Sequence, residues 1–145
     1  MARILIVEDD RLALKLFREA FKREGYEVET CNSSEGVVDI AANFKPDFVL
    51  LDLYMPDHGG LDACRQLRAD PRTYDLPVVF ITGSRESLDV IEALHIGCID
   101  YVQKPIKPSD LVGLITRHSL AIKIDQAFQP MRAEMRRFLS KYSHA

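Results

Sequence analysis

The stretch VLLDLYMP, residues 49–56, decides the reading of this chain. Phe48, Val49, Leu50 and Leu51 are apolar in unbroken succession. Strands covered on both faces have that pattern. The next residue is a carboxylate, Asp52. A charged carboxylate at the edge of a core is costly unless something pairs with it. Two things must therefore be found around it: the elements that hold Asp52, and the groups that compensate it.

Working outward, four more short apolar runs occur at residues 4–7, 26–31, 78–81 and 101–102. Between the runs lie amphipathic segments of helical length, at about 11–23, 34–44, 61–69 and 86–96. Gly25 and Gly97 stop the first and fourth of these, and Lys45-Pro46 and Asp70-Pro71 stop the second and third. A fifth helix opens at Pro108-Ser109-Asp110, with proline suited to a first helical turn. Strand and helix thus alternate five times. The pattern predicts an α/β fold, a doubly wound five-stranded parallel sheet with right-handed crossovers and helices on both faces. Sites in such sheets form at the carboxyl ends of the strands, near the topological switch point.

At those ends the chain places Glu8-Asp9-Asp10 after the first strand, Asp52 after the third, Thr82-Gly83-Ser84 after the fourth and Gln103-Lys104-Pro105 after the fifth. Convergence would crowd three or more carboxylates into one pocket, where like charges raise one another's pKa unless a cation neutralises them. Hard oxygen ligands without His or Cys suit Mg²⁺. Lys104 adds a fixed positive charge and Thr82 a hydroxyl donor. A carboxylate nucleophile, a Mg²⁺ site, an ammonium and a hydroxyl are the parts phosphoryl transfer needs, and Asp52 would form an acyl phosphate. Taken singly, each has a plainer reading: Asp52 as a turn acid, Glu8-Asp9 as a helix start, Lys104 as a solvated charge, Thr82 as a helix-start residue. The four together, each at a strand end, are what argue for chemistry.

The composition fits one domain. The 145 residues are 47% hydrophobic and 28% charged, with a net charge of −3, too acidic for a nucleic-acid footprint across the whole chain. No apolar run is long enough to span a bilayer, and the start is too short and acidic for a signal peptide. Cys31, Cys64 and Cys98 match no metal spacing and no disulfide framework, and read as buried thiols of a cytoplasmic protein. His58, His95, His118 and His144 are scattered and read as bystanders.

The motifs ILIVEDD, VLLDLYMP, the Gly59-Gly60 pair, VVFITGS and GCIDYVQKPIKPSDL, in this order over about residues 3–122, resemble the receiver domain of two-component response regulators. The resemblance implies a flavodoxin-like sheet of order 2-1-3-4-5. It implies that Asp52 is the phospho-acceptor, that Asp9 ligates Mg²⁺ directly with Glu8 acting through water, and that the backbone carbonyl of Tyr54 is a further ligand. Thr82 and Lys104 match the hydroxyl and lysine that grip the phosphoryl group, and Tyr101 the aromatic switch that turns inward when Thr82 moves. The family often has a cis bond where this chain has Lys104-Pro105. By the same resemblance, the donor is a histidine kinase or a histidine phosphotransfer protein. The output is a shift of the face around helix four, strand five and helix five, and the protein is a signalling switch rather than an enzyme. Two other readings remain. A Mg²⁺-dependent phosphohydrolase with an aspartyl nucleophile usually has a second Asp two residues on, where this chain has Tyr54. A receiver-like binding module that is never phosphorylated would leave the charge crowding without purpose. A dinucleotide-binding domain is excluded, because no glycine-rich loop follows the first strand.

A boundary is expected near Asp125, giving a receiver at 1–125 and a C-terminal amphipathic helical extension or linker at 126–145. Met131, Met135, Phe138, Leu139 and Tyr142 share one helical face there. Four basic residues against one acidic residue make the extension +3, which leaves −6 on the first 125 residues. Pro130 is expected to break a straight continuation from helix five. Such a face must dock on its own domain, lead into a further domain or pair with a second copy; of these, a homodimer through this helix is expected, because helix five already spends its apolar residues on the sheet. Binding of a membrane or of nucleic acid by the chain is not expected.

Overall fold

The computed structural model describes residues 2–55, 59–83 and 87–142, the side chains of 87–90 excepted. Pro56, His58, Ser84 and His144 lie outside the described residues. The chain divides into two compact units, Met1–Val112 and Gly113–Ala145.

In the first unit, five strands alternate with helices: β1 (Arg3–Val7), α1 (Arg11–Arg23), β2 (Glu27–Cys31), α2 (Val37–Phe44), β3 (Phe48–Asp52), α3 (Gly59–Ala69), β4 (Val78–Thr82), α4 (Ser87–Ile96) and β5 (Asp100–Gln103). The sheet order is β2-β1-β3-β4-β5 and every pairing is parallel, as the alternation and the resemblance imply. In register, Val7 lies beside Leu51 and Asp52 beside Ile81. The chain reverses its direction of travel across the sheet between β1 and β3, so the ends of these two strands flank the switch point.

Burial follows the composition of each strand. Every residue of β3 and β4 is buried, and β1 is buried after Arg3. At the edge, β2 alternates, with Glu27 and Glu29 facing solvent. On one face Leu5, Val7, Val49, Leu51, Val78 and Phe80 form a core cluster with Val37 and Ala41 of α2, Ala63, Cys64 and Leu67 of α3, and Ala93 of α4. Alternate residues point the other way, where α1 packs on β1 and β2 and buries Phe17 and Phe21. Cys31 and Cys64 are buried and Cys98 half-buried, all as free thiols.

The additional C-terminal helix is present as the continuation of α5, a single element from Pro108–Tyr142. The break expected at Pro130 does not occur. Proline removes one N–H and so frees the carbonyl one turn back, that of Gln126. Both residues are exposed, so water can serve that carbonyl. The surrounding Ala, Met, Arg and Leu residues are strong helix formers. Among the described residues no helix is long and apolar enough to cross a membrane.

Candidate functional site

The carboxyl ends of β1, β3, β4 and β5 bring the candidate residues together. Carboxylate oxygens of Glu8, Asp9 and Asp52 lie within 4.8 Å of one another. Glu8 is completely buried, Asp52 is buried, and Asp9 is half-buried. The compensating cation is Lys104: its Nζ lies 2.9 Å from Glu8 Oε1 and 3.2 Å from Asp52 Oδ2. Thr82 is fully buried at the end of β4, and its carbonyl accepts from the backbone N–H of Lys104 at 2.7 Å. That bond registers the lysine following β5 against the threonine that ends β4. The Lys104-Pro105 peptide bond is cis.

Backbone contacts fix the acceptor. The N–H of Tyr54 donates to Asp52 Oδ1 at 3.1 Å, and the N–H of Leu53 donates to Ile81 O at 2.8 Å. The tyrosine ring itself is half exposed. Gly60, at the start of α3, donates its N–H to Leu53 O at 2.8 Å. A Cβ on Gly60 would stand 2.1 Å from the carbonyl oxygen of Asp52, so only glycine lets α3 press this close against the acceptor. Asp10, outside the acidic pair, caps α1: its Oδ1 accepts from the N–H groups of Leu12 and Ala13 at 3.0 and 3.2 Å. Tyr101 is half-buried, packed against the core cluster. His95 is exposed and His118 half-buried.

The electrostatics are those of a crowded acidic pocket. Burial pushes Glu8 up to about 7, aided by the Asp52 charge and only partly offset by Lys104. Burial also raises Asp52 above the usual carboxylate range, against the pull of Lys104. For Lys104, burial works against the ammonium, but the hydrogen bonds and charges of Glu8 and Asp52 together outweigh it and hold the group above its ordinary value. One lysine thus does not satisfy three carboxylates. Glu8 Oε2 is buried with no hydrogen-bond partner among the described residues. A buried, unpartnered carboxylate oxygen in an all-oxygen donor set fits a hard divalent cation such as Mg²⁺.

Beside the acidic pocket opens a cavity of about 350 Å³, lined by Asp10, Ala13, Leu16 and Phe17 and by Lys104, Pro105, Ile106 and Pro108. It joins the half-exposed Leu16 of α1 to Lys104.

The sequence model of the response regulator receiver domain matches residues 4–116. The chain belongs to the response regulator receiver family. The receiver is 35% identical over 113 residues to the DNA-binding response regulator MtrA of Mycolicibacterium smegmatis, covering 78% of this chain and 48% of that protein. It is 34% identical over 113 residues to MtrA of Mycobacterium tuberculosis H37Rv, covering 78% and 48%. This receiver therefore spans about half the length of the curated relatives it matches. In fold it is similar to chemotaxis protein CheY4 of Vibrio cholerae, with a TM-score of 0.76 at 23% identity over 81% of this chain and 98% of that one. It is likewise similar to a CheY-like receiver domain protein of Methanospirillum hungatei, with a TM-score of 0.75 at 26% identity over 81% and 93%.

Sequence reasoning missed how Gly60 acts. The Gly59-Gly60 pair was visible as a motif, but a close backbone approach leaves no mark on side-chain patterning. The available signal was two glycines opening a helix, which costs conformational entropy unless something demands it.

Proposed function

We propose that this receiver accepts a phosphoryl group on Asp52 from a histidine kinase or histidine phosphotransfer protein, in a Mg²⁺-dependent reaction, and thereby switches its output face. The observation that carries this reading is the buried Asp52 at the end of β3, with Lys104 at 3.2 Å and Glu8 and Asp9 in the same carboxylate cluster. Asp52 is the nucleophile. Its carboxylate oxygen forms the new P–O bond as the P–N bond of the donor phosphoimidazole breaks, and the imidazole leaves carrying a proton. Lys104 stabilises negative charge on the moving group, and the Thr82 hydroxyl supplies a neutral donor. Asp9, Asp52 and the Tyr54 carbonyl would hold Mg²⁺, with Glu8 acting through water. When bound, the ion supplies neutralising charge for the carboxylates and the phosphoryl oxygens. Tyr101 serves as the aromatic switch.

The donor is a protein. The apolar cavity beside Lys104, with the half-exposed Leu16 in its lining, suits a docking helix whose phosphohistidine reaches Asp52. Ile91, Leu94 and Ile99 are exposed on the α4–β5 side, which supports an output face there. The receiver occupies residues 1–125, with 126–145 an extension. It works in the cytoplasm, where three free thiols persist, and its negative charge favours protein partners over nucleic acid. Its only chemistry is its own phosphorylation and dephosphorylation. Tyr54 disfavours the phosphohydrolase reading, since a phenol stands where the second aspartate of those enzymes would act. The test is the intact mass after acetyl phosphate with Mg²⁺. The chain gains one phosphoryl group, and Asp52→Asn or a chelator prevents it. An adduct persisting in Asp52→Asn overturns the assignment.

A further inference from the structure

One face of α5 takes no part in the receiver chemistry. Ile124, Phe128, Met131, Met135, Phe138 and Tyr142 follow one another at steps of four, three, four, three and four residues. That is the a/d repeat of a coiled coil. All six are exposed, from 46% at Phe128 to 66% at Tyr142. Because α5 is unbroken, the stripe is longer than the segment after Pro130, and it begins more than a turn before the proline.

We propose that this seam pairs with the same segment of a second copy of the chain, as a parallel two-stranded coiled coil. Three observations select a second copy as the occupant. The first is the spacing itself, since an a/d seam is self-complementary about a two-fold axis. The second is charge. In a parallel pair, each g position faces the e position of the next heptad on the other copy. With Phe128 and Met135 at a, Ala127 faces Arg132 and Glu134 faces Leu139, so no like charges oppose one another. Arg136 and Arg137 fall on the outer face. The third is area. Leu120 and Leu139 flank the seam and are also exposed. Eight such half-exposed side chains offer roughly 100 Å² each, about 800 Å² per copy, the size of a standard stable interface.

Pro130 fits the same arrangement. It occupies a c position, on the outer side, and so stays out of the seam. A helix with an interior proline and a bare apolar stripe is poorly stable alone, and pairing supplies what it lacks.

The test is sedimentation equilibrium of the full chain at tens of micromolar. The wild type is expected to sediment at twice 16.5 kDa. Met131→Asp combined with Phe138→Asp is expected to sediment as a monomer. Met135→Glu alone is expected to weaken dimerisation at least tenfold. Gln129→Asp, on the outer face, is expected to leave the dimer intact. Far-UV circular dichroism and phosphoryl uptake confirm that each variant is folded. Tyr142→Cys, once oxidised, is expected to give a disulfide-linked dimer that the wild type does not form. A monomeric wild type overturns the proposal, as does a double variant that stays dimeric. A dimer that fails to cross-link through Tyr142→Cys overturns the parallel arrangement.

Discussion

Gly60→Ala places one methyl group against the backbone that carries the acceptor. The new Cβ would stand 2.1 Å from Asp52 O, 2.8 Å from the Asp52 carbonyl carbon and 2.8 Å from Leu53 Cα. None of these atoms is the end of a flexible side chain, so α3 or the β3–α3 loop must retreat. Overpacking of this kind costs about 1–3 kcal/mol. The retreat also stretches the Gly60 N–H bond to Leu53 O, now 2.8 Å, which is worth about 1 kcal/mol. Alanine returns up to about 1 kcal/mol through its better helix propensity. The last two effects roughly cancel, so the net loss is about 1–3 kcal/mol, a fall in Tm of about 3–10 °C for a chain of this size. Thermal melts by circular dichroism measure it. Gly113→Ala is the control: its Cβ meets nothing within 4 Å, so that variant should melt at or above the wild-type temperature. Because Asp52 itself is displaced, phosphoryl uptake by folded Gly60→Ala should also slow. A Gly60→Ala protein that melts within a degree of wild type refutes the close-approach argument.

Three further outcomes follow from the site. Mg²⁺ should stabilise the folded chain by RT ln(1 + [Mg²⁺]/Kd), about 1.4 kcal/mol at ten times Kd, and Asp9→Ala should remove most of that gain; equal Mg²⁺ responses in thermal melts would exclude Asp9 as a ligand. Without metal, Glu8 titrates near 7 in the folded chain against an ordinary 4.5 unfolded, so its stabilising contribution is complete below about 4.5 and is lost as pH rises through 7. Urea melts of metal-free protein across that window should show a decline that Glu8→Gln lacks, and parallel pH profiles for the two would contradict it. Tyr54→Asn should speed loss of the phosphoryl group by more than about twofold, under about 1 kcal/mol, if the half-exposed ring shields Asp52 from water; unchanged half-lives in a decay assay would discard the shielding role.

The sheet was legible because its central strands are continuous apolar runs ending in chemically distinct residues. Phe48 to Leu51 and Val78 to Ile81 are readable from sequence as buried strands, and the structure extends each by one residue, to Asp52 and Thr82. The clustering of Glu8, Asp9, Asp52 and Lys104 followed from placing those ends on a parallel sheet. What stayed hidden depends on tertiary distance or on solvent. Gly60's contact with the Asp52 carbonyl is a backbone-to-backbone approach. The unpartnered Glu8 Oε2 follows from complete burial, which no local pattern encodes. Pro130 looked like a break because the rule assumes the freed carbonyl has no other partner, whereas here it faces water. Helix α2 begins at Val37, after Gly36 in a left-handed conformation, rather than at the expected Ser34. The apolar seam on α5 was visible only from Met131 onward, because the boundary expected near Asp125 left out Ile124 and the break expected at Pro130 cut off Phe128.

The central claim is that Asp52 carries the phosphoryl group. Its most direct measurement is to phosphorylate the full chain with acetyl phosphate and Mg²⁺, reduce it with borohydride, and sequence the peptides by mass spectrometry. Borohydride converts an aspartyl phosphate to homoserine at the modified position. The account predicts homoserine at residue 52 and at none of the other aspartates, Asp9 and Asp10 included. Homoserine elsewhere with residue 52 unchanged, or phosphate uptake that leaves no homoserine at all, would contradict it.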